Sequence, residues 1–435
     1  MENHLPCDCK VSMDSGFSYQ QPVQQEKETH LVVEEIVRPT NGLTGNPLEF
    51  VIQVKDFVVL NSITAHVKHA VIKSNKADRA DADPRVAPIN NAGPCAWRAI
   101  KTRINDHEIN QSSAFHPGIK SYTSIVLSYN PTPAKQLKAG GFTHSAAVGE
   151  HMNAVDDTNA AFKTRAETYK KDVTVSYAVP VDICAADNFL APFTKLTFEF
   201  YPADPEFYLM AANTSITWQM HIKDMYLQYR RVALAPATME KVLSPGYSAP
   251  RRYLMPYTEL KTVELPPGVT RWSVPIYSAG SPLPRQMVVM QVPTANMFDL
   301  TKTPLAFPHL NINYIAPRIN DEIALRTAAE PDFAKGLLSK DYYRLFQHTG
   351  KAGSTTQGPL ISMEQFANNF AIFPFDLTVD RCNGRHVHMP RTAKLELIVG
   401  WNVALQASTT LLIYNVFDQI LYVDPATGKP TVQLL

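Results

Sequence analysis

The hexapeptides KLTFEF at residues 195–200 and KLELIV at residues 394–399 share one pattern, a lysine followed by apolar side chains at every second position. A period of two is typical of a β-strand that packs one face against a core. The two segments lie 199 residues apart in a chain of 435 residues, each near the end of one half. This repetition indicates an internal duplication of a β-rich unit.

The same alternation recurs along most of the chain from residue 31 onward. Each run is bounded by Pro, Gly or Asn, the residues that end strands and form turns. Strands are predicted at residues 48–55, 173–179, 196–200, 216–222, 288–292, 310–315, 395–401 and 410–416. Helices do not alternate regularly with these strands, so the pattern favours β-sandwiches over a βαβ fold.

Helical spacing is confined to three short segments between strands. One runs over 119–129 and stops at Asn130-Pro131, and a second runs over 341–348 with Gly350 as its cap. The third begins at Ser362, where Gln365 completes a capping box. We expect each to be a short helix in a loop.

Proline content divides the chain into two halves. Six of the 33 prolines fall within residues 233–267, where we place the join. The organisation predicted from this is a flexible arm at 1–30, a first sandwich at 31–235, a join at 236–262 and a second sandwich at 263–435.

The charge balance argues against a large electrostatic surface for nucleic acid. The chain has 41 Lys and Arg against 40 Asp and Glu, and residues 1–30 contain five acidic and two basic side chains. Any nucleic-acid contact is therefore expected to be indirect or local. The pairs Arg230-Arg231 and Arg251-Arg252 could touch phosphate, but such doublets usually form salt bridges or solvated edges.

Residues 1–30 contain no apolar run, so neither a secretory signal nor a membrane span is expected. The cysteines are odd in number and scattered, which suits reduced thiols better than disulfides. They are Cys7, Cys9, Cys95, Cys184 and Cys382. For Cys7 and Cys9 we expect an unstructured, reduced pair rather than a metal clip.

Motifs that carry chemistry are sparse. Residues 350–354 have the composition of a phosphate loop but not its order, and a surface loop is expected there. The pairs His66/His69 and His386/His388 lack two further zinc ligands at recognisable spacing. Asp376 and Asp380 could form an acid/base pair, although the first reads equally well as a strand end with a turn. We therefore predict no catalytic, cofactor or metal site.

Several segments together resemble the major capsid protein of Polinton (Maverick) elements and adintoviruses. The resemblance covers about residues 31 to 425, leaving out the arm and residues 140–168. The segments are 88–91, 104–109, 122–129, 307–314, 342–346, 349–351, 361–368, 373–378 and 395–424, with 414–417 inside the last.

The resemblance implies an all-β protein of two tandem eight-stranded jelly rolls with a few short helices. It also implies a non-enzymatic capsid subunit, three copies of which form a pseudo-hexagonal capsomer in an icosahedral shell. Such a subunit would lie in the virion capsid, be made in the host cytoplasm and assemble in the nucleus or cytoplasm. Expected partners are further copies, a penton protein and internal minor or cement proteins, with DNA neutralised by a separate basic protein. The insertions at 77–93 and 140–168 would form outer towers or clasps between subunits.

Two other functions fit a β-sandwich. A lectin-like or receptor-binding module would present an aromatic cluster, for which Trp97, Trp218, Trp272 and Trp401 are available, although Trp218 and Trp401 continue the inward-facing alternation of their strands. A cupin-type jelly-roll enzyme would bind metal, starting from the pair His386/His388.

Overall fold

The computed structural model describes residues 29–80, 83–110, 115–128, 133–143, 152–186, 188–244, 250–323, 328–354, 357–378, 388 and 390–434. The first half of the chain contains β1 (Thr29–Val37), β2 (Leu48–Ile52), β3 (Phe57–Lys73), β4 (Val86–Pro88), β5 (Trp97–Ile104), β6 (His107–Glu108), β7 (Val173–Ala178), β8 (Leu196–Pro202), β9 (Leu209–Ala211) and β10 (Trp218–Leu234). Its helices are α1 (Ala92–Cys95), α2 (Pro117–Ser128), α3 (Ala160–Thr168), α4 (Pro205–Tyr208) and α5 (Pro236–Leu243), with 3-10 helices at Pro133–Gly140 and Asp182–Ala185.

The second half repeats this β-rich organisation. Its strands are β11 (Arg251–Leu265), β12 (Arg271–Tyr277), β13 (Gln286–Pro293), β14 (Ile312–Ile319), β15 (Glu322–Ile323), β16 (Phe373–Asp376), β17 (Leu395–Trp401), β18 (Thr409–Val423) and β19 (Pro430–Leu434). Its helices are α6 (Ser339–Gln347) and α7 (Met363–Phe366), with a 3-10 helix at Thr294–Met297. None of the described helices is long and apolar enough to cross a membrane.

The two halves have the same sheet topology. The first half forms sheets in the order β1-β10-β3-β7 and β2-β8-β5-β6, and the second forms β11-β18-β13-β16 and β12-β17-β14-β15. When β4 and β9, which pair with each other, and β19, which pairs with β18, are set aside, the eight remaining strands of each half follow the order 1-8-3-6 and 2-7-4-5. This order is the eight-stranded jelly roll in both halves. In chain order, β8 and β17 are both seventh strands, so the repeated hexapeptides occupy equivalent places.

Most of the predicted elements are confirmed. The stretch at 395–401 matches β17 at both ends, and the helices at 119–129, 341–348 and Ser362 correspond to α2, α6 and α7. Ser362 and Gln365 form the complete capping box. Gly350 follows α6 with a φ of 68°, a conformation that glycine adopts without steric cost.

The cores lie between the paired sheets and join into one apolar cluster that spans both halves. Strand β2 shows the underlying rule, because Leu48, Phe50 and Ile52 are buried while the residues between them are half-exposed. In the first half, the ring of Phe200 packs edge-on against Phe50 and Trp97 at centroid distances of 5.5 and 5.0 Å. Such aromatic packing supplies a large part of the burial free energy of a core.

The predicted join at 236–262 is wrong over its second part. Residues from Arg251 onward form β11, which pairs with β18 along its whole length. Pro256 is the one of the six prolines that lies within this strand, and it is tolerated because β11 is at the edge of its sheet, where a missing N–H costs no ladder hydrogen bond. The described chain between the sandwiches is therefore α5 and its flanking residues. Most of the predicted arm, residues 1–28, lies outside the described residues, and β1 begins at Thr29.

The described parts of the two long insertions pack on the first sandwich through two arginines. Arg79 donates through Nη1 to Val86 O (2.9 Å) and Ala166 O (3.0 Å), and Arg165 donates through Nε to Pro88 O (2.9 Å). Arg165 is buried, and burial lowers its pKa to about 10. These arginines fasten α3 to β4, so both insertions contribute to the interior of the first half.

Candidate assembly surfaces

The pair His66/His69 does not form a metal site. Both residues lie on β3, but His66 is on the outer face, where its ring stacks on Tyr226 (4.7 Å between centroids) and Nδ1 lies 2.8 Å from Ser176 Oγ. His69 is fully buried on the other face, with Nε2 at 3.0 Å from Tyr169 OH, and burial lowers its pKa to about 4. A spacing of three places side chains on opposite faces of a strand.

Of the second histidine pair, His388 is described and His386 lies outside the described residues. His388 Nδ1 is 2.7 Å from Asp418 Oδ2, and Arg285 Nη1 is 3.3 Å from Asp418 Oδ1. A guanidinium beside the carboxylate opposes a bound cation. This group therefore ties His388 and Arg285, which directly precedes β13, to β18.

Asp376 ends β16 and acts as a turn residue. Its Oδ1 accepts hydrogen bonds from Thr378 N (2.9 Å) and Thr378 Oγ1 (2.6 Å). Asp380, its proposed acid/base partner, lies outside the described residues. Among the residues that the structure does describe, no three His, Cys, Asp or Glu side chains are grouped to hold a metal ion.

The arginine doublets are engaged in contacts within the chain. Arg231 pairs with Glu35 (2.5 Å) and Asp56, and Arg230 lies 3.4 Å from Glu34. Arg252 lies over the ring of Tyr422. For Arg230-Arg231 the contacts are the salt bridges that the sequence favoured over phosphate contact.

Three of the four tryptophans belong to the core. Trp97, Trp218 and Trp401 are buried, as predicted for the last two, whereas Trp272 is 41% exposed. Cys95 and Cys184 are free thiols. Cys7, Cys9 and Cys382 lie outside the described residues, so the reduced pair expected for the first two stays a prediction.

The two halves meet through α2 and the 3-10 helix at Asp182–Ala185. Lys120 Nζ donates to Thr258 O (3.1 Å), and Asp182 accepts from Thr258 N (3.1 Å) and Oγ1 (2.7 Å). Leu360 N donates to Val126 O (2.7 Å). Lys120 is buried, and burial lowers its pKa to about 8. The halves are thus joined by specific polar contacts as well as by apolar packing.

Cavities flank this junction on two sides. One, of about 800 Å³, lies between the outer face of β3, β7 and β10 and the junction residues, and Lys120, Tyr177 and Tyr414 contribute to its wall. Another, of about 600 Å³, is lined by His116 and Phe207 of the first half and by Phe298 of the second, which is 72% exposed.

Each half also carries a tight Asn-Asp turn between its fourth and fifth strands. The first Asn-Asp turn, Asn105-Asp106, joins β5 to β6, and the second, Asn320-Asp321, joins β14 to β15. All four residues have positive φ, as a two-residue type I′ hairpin requires.

A lysine immediately before the seventh strand clamps each turn. Lys195 Nζ lies 2.7 Å from Asp106, and Lys394 Nζ lies 2.9 Å from Asp321. These hydrogen bonds lower the pKa of both aspartates. The signal was present in the sequence as Arg-Ile-Asn-Asp at 103–106 and 318–321, beside the repeated hexapeptides.

Exposed apolar side chains concentrate at one sheet edge. Strand β1 is the outer strand of its sheet, and Leu31, Val32 and Ile36 are 49%, 51% and 59% exposed. An open edge with apolar side chains is a surface that further chains can cover. Other exposed apolar residues are more scattered, with Phe193 and Leu337 in loops and Trp272, Tyr343 and Val432 on separate elements.

Comparison with known proteins found similarity in structure but not in sequence. No protein-family model matches the sequence, and no curated protein is similar to it in sequence. The fold is similar to a chain of the Sputnik virophage particle, with a TM-score of 0.60 and 12% identity over 100% of this chain and 92% of that chain.

Two major capsid proteins are similar over nearly the whole chain. The mavirus major capsid protein has a TM-score of 0.52 at 10% identity, covering 96% of this chain and 93% of its own. The Faustovirus major capsid protein has a TM-score of 0.53 at 7% identity, covering 92% of this chain and 91% of its own. Together with the strand order, these likenesses establish the predicted fold, an all-β protein of two tandem jelly rolls.

Proposed function

We propose that this chain is the major capsid protein of a virus or a virus-related element and that it acts by self-association without catalysing a reaction. The observation that carries the proposal is the match over whole chains, since both jelly rolls and their connection correspond to capsid subunits. In such an assembly, neighbouring copies would cover open apolar edges such as β1.

The proposed assembly unit is a homotrimer. Two similar jelly rolls side by side give six sandwiches in a trimer, so three chains would present a nearly hexagonal outline. Obligate interfaces of this kind bury on the order of thousands of Å². The two sandwiches would be the domains, the first at 31–235 and the second at 263–435 extended toward the N-terminus to include β11 from Arg251.

The finer assignments rest on the sequence resemblance to Polinton and adintovirus capsid proteins. They include a position in the virion capsid after synthesis in the host cytoplasm, and assembly in the nucleus or cytoplasm. The proposed partners are a penton protein at the vertices and internal minor or cement proteins. The formal net charge of +1 supports neutralisation of the genome by a separate basic protein. The arm at 1–30, which has few apolar residues, would order against one of these partners.

The test is the mass of the purified full chain in solution, measured by light scattering on a sizing column. A trimer near three times 48.5 kDa is expected, followed by hexagonal particles in electron micrographs. A strict monomer across concentrations would contradict the proposal and favour the binding-module alternative.

A further inference from the structure

The two Asn-Asp turns have the same internal geometry. In the first turn, Lys195 N donates to Asn105 Oδ1 and Asn105 N donates to Lys195 O, both at 2.9 Å. In the second, Lys394 N donates to Asn320 Oδ1 at 2.9 Å and Asn320 N donates to Lys394 O at 3.0 Å. The φ angles of the two asparagines are 45° and 48°. The turns are therefore equivalent structures on equivalent sandwiches.

Their surroundings differ in one respect. Asn105 Nδ2 donates to Gly428 O (2.7 Å) in the loop between β18 and β19, so this loop of the second half covers the asparagine of the first Asn-Asp turn, while Asp106 stays exposed. Asn320 Nδ2 has no acceptor among the described residues, and the turn that it begins is exposed. The second turn thus offers the same donor that the first turn uses for contact between halves.

The position of the covering loop in the fold identifies what would cover the second turn. The loop containing Gly428 follows β18, the eighth jelly-roll strand of the second half. In the first half the eighth strand is β10, and the segment that follows it is α5. In a ring of alternating first and second halves, each second half faces the first half of the next copy. The equivalent of the covering loop is then α5 of that copy.

The charges and hydrogen-bonding groups of the two surfaces agree with this pairing. Glu322 follows the second turn and Lys241 lies on α5; both are exposed, and neither forms an ion pair within the described ranges. The covering loop likewise carries an exposed lysine, Lys429, next to Gly428. In the last turn of α5, Ser244 donates through N to Glu240 O and through Oγ to Lys241 O, and the second lone pair of such a carbonyl can accept from Asn320 Nδ2.

We propose that the second Asn-Asp turn of one copy docks against α5 of the next copy, repeating between chains the contact that Asn105 makes with Gly428 within one chain. The proposal rests on the proposed self-assembly and names the surfaces through which it occurs. Asn320 Nδ2 donates to a carbonyl at the C-terminal end of α5, and Glu322 pairs with Lys241.

A matched pair of variants tests the docking. The variants N320D and N105D each keep a side-chain oxygen that can accept from the lysine N–H, and aspartate tolerates the positive φ of these positions. Each variant removes the Nδ2 donor. Urea-induced dissociation of the trimer is followed by light scattering, beside the thermal unfolding of each variant. N320D should lower the dissociation midpoint clearly and at least tenfold increase the rate of subunit exchange. N105D should lower the unfolding temperature with little effect on dissociation.

Cross-linking identifies the occupant. Trimers assembled from mixed ¹⁴N- and ¹⁵N-labelled full-length chains are treated with a carbodiimide, which joins carboxylates to amines at contact distance. Glu322–Lys241 peptides are expected in mixed isotopic pairs, whereas links from Lys429 to the carboxylates beside the first turn should join peptides of one isotope only.

The outcomes separate the two proposals. Trimers in which N320D dissociates like the wild type, or in which Glu322 links to a segment other than α5, overturn the docking and leave the capsid assignment standing. A wild-type chain that stays monomeric overturns both.

Discussion

The two jelly rolls have one strand order but different interiors. Where β8 places Phe198 and Phe200 in the first core, the aligned positions of β17 hold Leu397 and Val399, and all four are fully buried. The first half also buries His69, which pairs with the first residue of β7. The equivalent residue of the second half, which pairs with the first residue of β16, is the apolar Val289. The shared topology therefore depends on the alternation of apolar residues and on turn geometry, while the particular side chains are exchangeable if volume is conserved nearby.

The connections between the fifth and sixth jelly-roll strands also differ between the halves. In the first half this connection carries α2 and α3, and in the second it carries α6 and α7. The first connection buries two cations, Lys120 on α2 and Arg165 on α3, and the second buries Arg344 on α6. The differences between the halves are thus concentrated in insertions, where lengthening a loop costs little free energy.

The largest effects are expected from truncation of the equivalent core positions Phe198 and Leu397. F198A should lower the free energy of unfolding by about 3–5 kcal/mol and L397A by about 2–5 kcal/mol, because each leaves a cavity in a packed core. The apolar cluster is continuous between the halves, so either variant should shift one common transition in calorimetry. Two transitions, of which each variant moves only one, would show that the halves unfold independently.

Strands with one buried face were predictable from the sequence. β2 and β7 were found because their buried residues alternate with exposed or half-exposed ones and Pro, Gly or Asn stand nearby. The 17-residue strand β3 has buried residues on both faces over parts of its length, so its period is blurred and it was not predicted. β11 was taken for a linker because prolines at a sheet edge look the same in sequence as prolines in a loop.

The candidate site was predictable only in part. The hexapeptides at 195–200 and 394–399 were recognised as a repeat, yet their lysines act on turns 90 and 74 residues earlier in the chain, at Asn105 and Asn320. A contact over such a separation follows from the antiparallel pairing of β5 with β8 and of β14 with β17. Residue patterns indicate the strands, whereas the pairing that joins the turn to the lysine requires the fold.

Lys120, which is buried in the first half, should make the free energy of unfolding depend on pH. Burial lowers the pKa of Lys120 to about 8 from 10.5, so between these values the unfolded chain binds more protons and stability rises with pH. Relative to K120M, the wild type should gain about 3 kcal/mol between pH 8 and 10.5. R344M is the matched control, since it also removes a buried cation, but one whose ordinary pKa of about 12.5 lies above this range. Urea unfolding at several pH values measures both differences, and equal pH dependence for the two variants would contradict the assignment.

Acid should act on the first half through His69. Its pKa of about 4 in the folded chain lies below the ordinary value of 6.5, so the unfolded chain binds the additional proton as the pH falls between these values. Compared with H69Q, the wild type should lose about 3 kcal/mol of unfolding free energy from pH 6.5 to 4 and no more below that. V289Q, at the corresponding position of the second half, should show no such pH-dependent difference from the wild type. A wild-type curve parallel to that of H69Q would argue against a neutral, buried His69.

The smallest effects should come from the helix caps of the two connections. Asn159 caps α3 by accepting from Phe162 N (2.9 Å), and its Nδ2 also donates to Met152 O (3.1 Å) and Ala154 O (3.0 Å). Ser362 caps α7 through a capping box alone.

S362A should cost about 1 kcal/mol, the usual value of an N-cap. N159A should cost about 2 kcal/mol because it also leaves two carbonyls without a donor in a buried setting. Urea midpoints with unchanged m-values would measure both losses, and S362T, which keeps the hydroxyl, should remain close to the wild type. If S362A and N159A lost the same free energy of unfolding, the extra hydrogen bonds of Asn159 would contribute nothing to stability. The helix caps of the two connections would then be equally stabilising, although the connections differ in sequence.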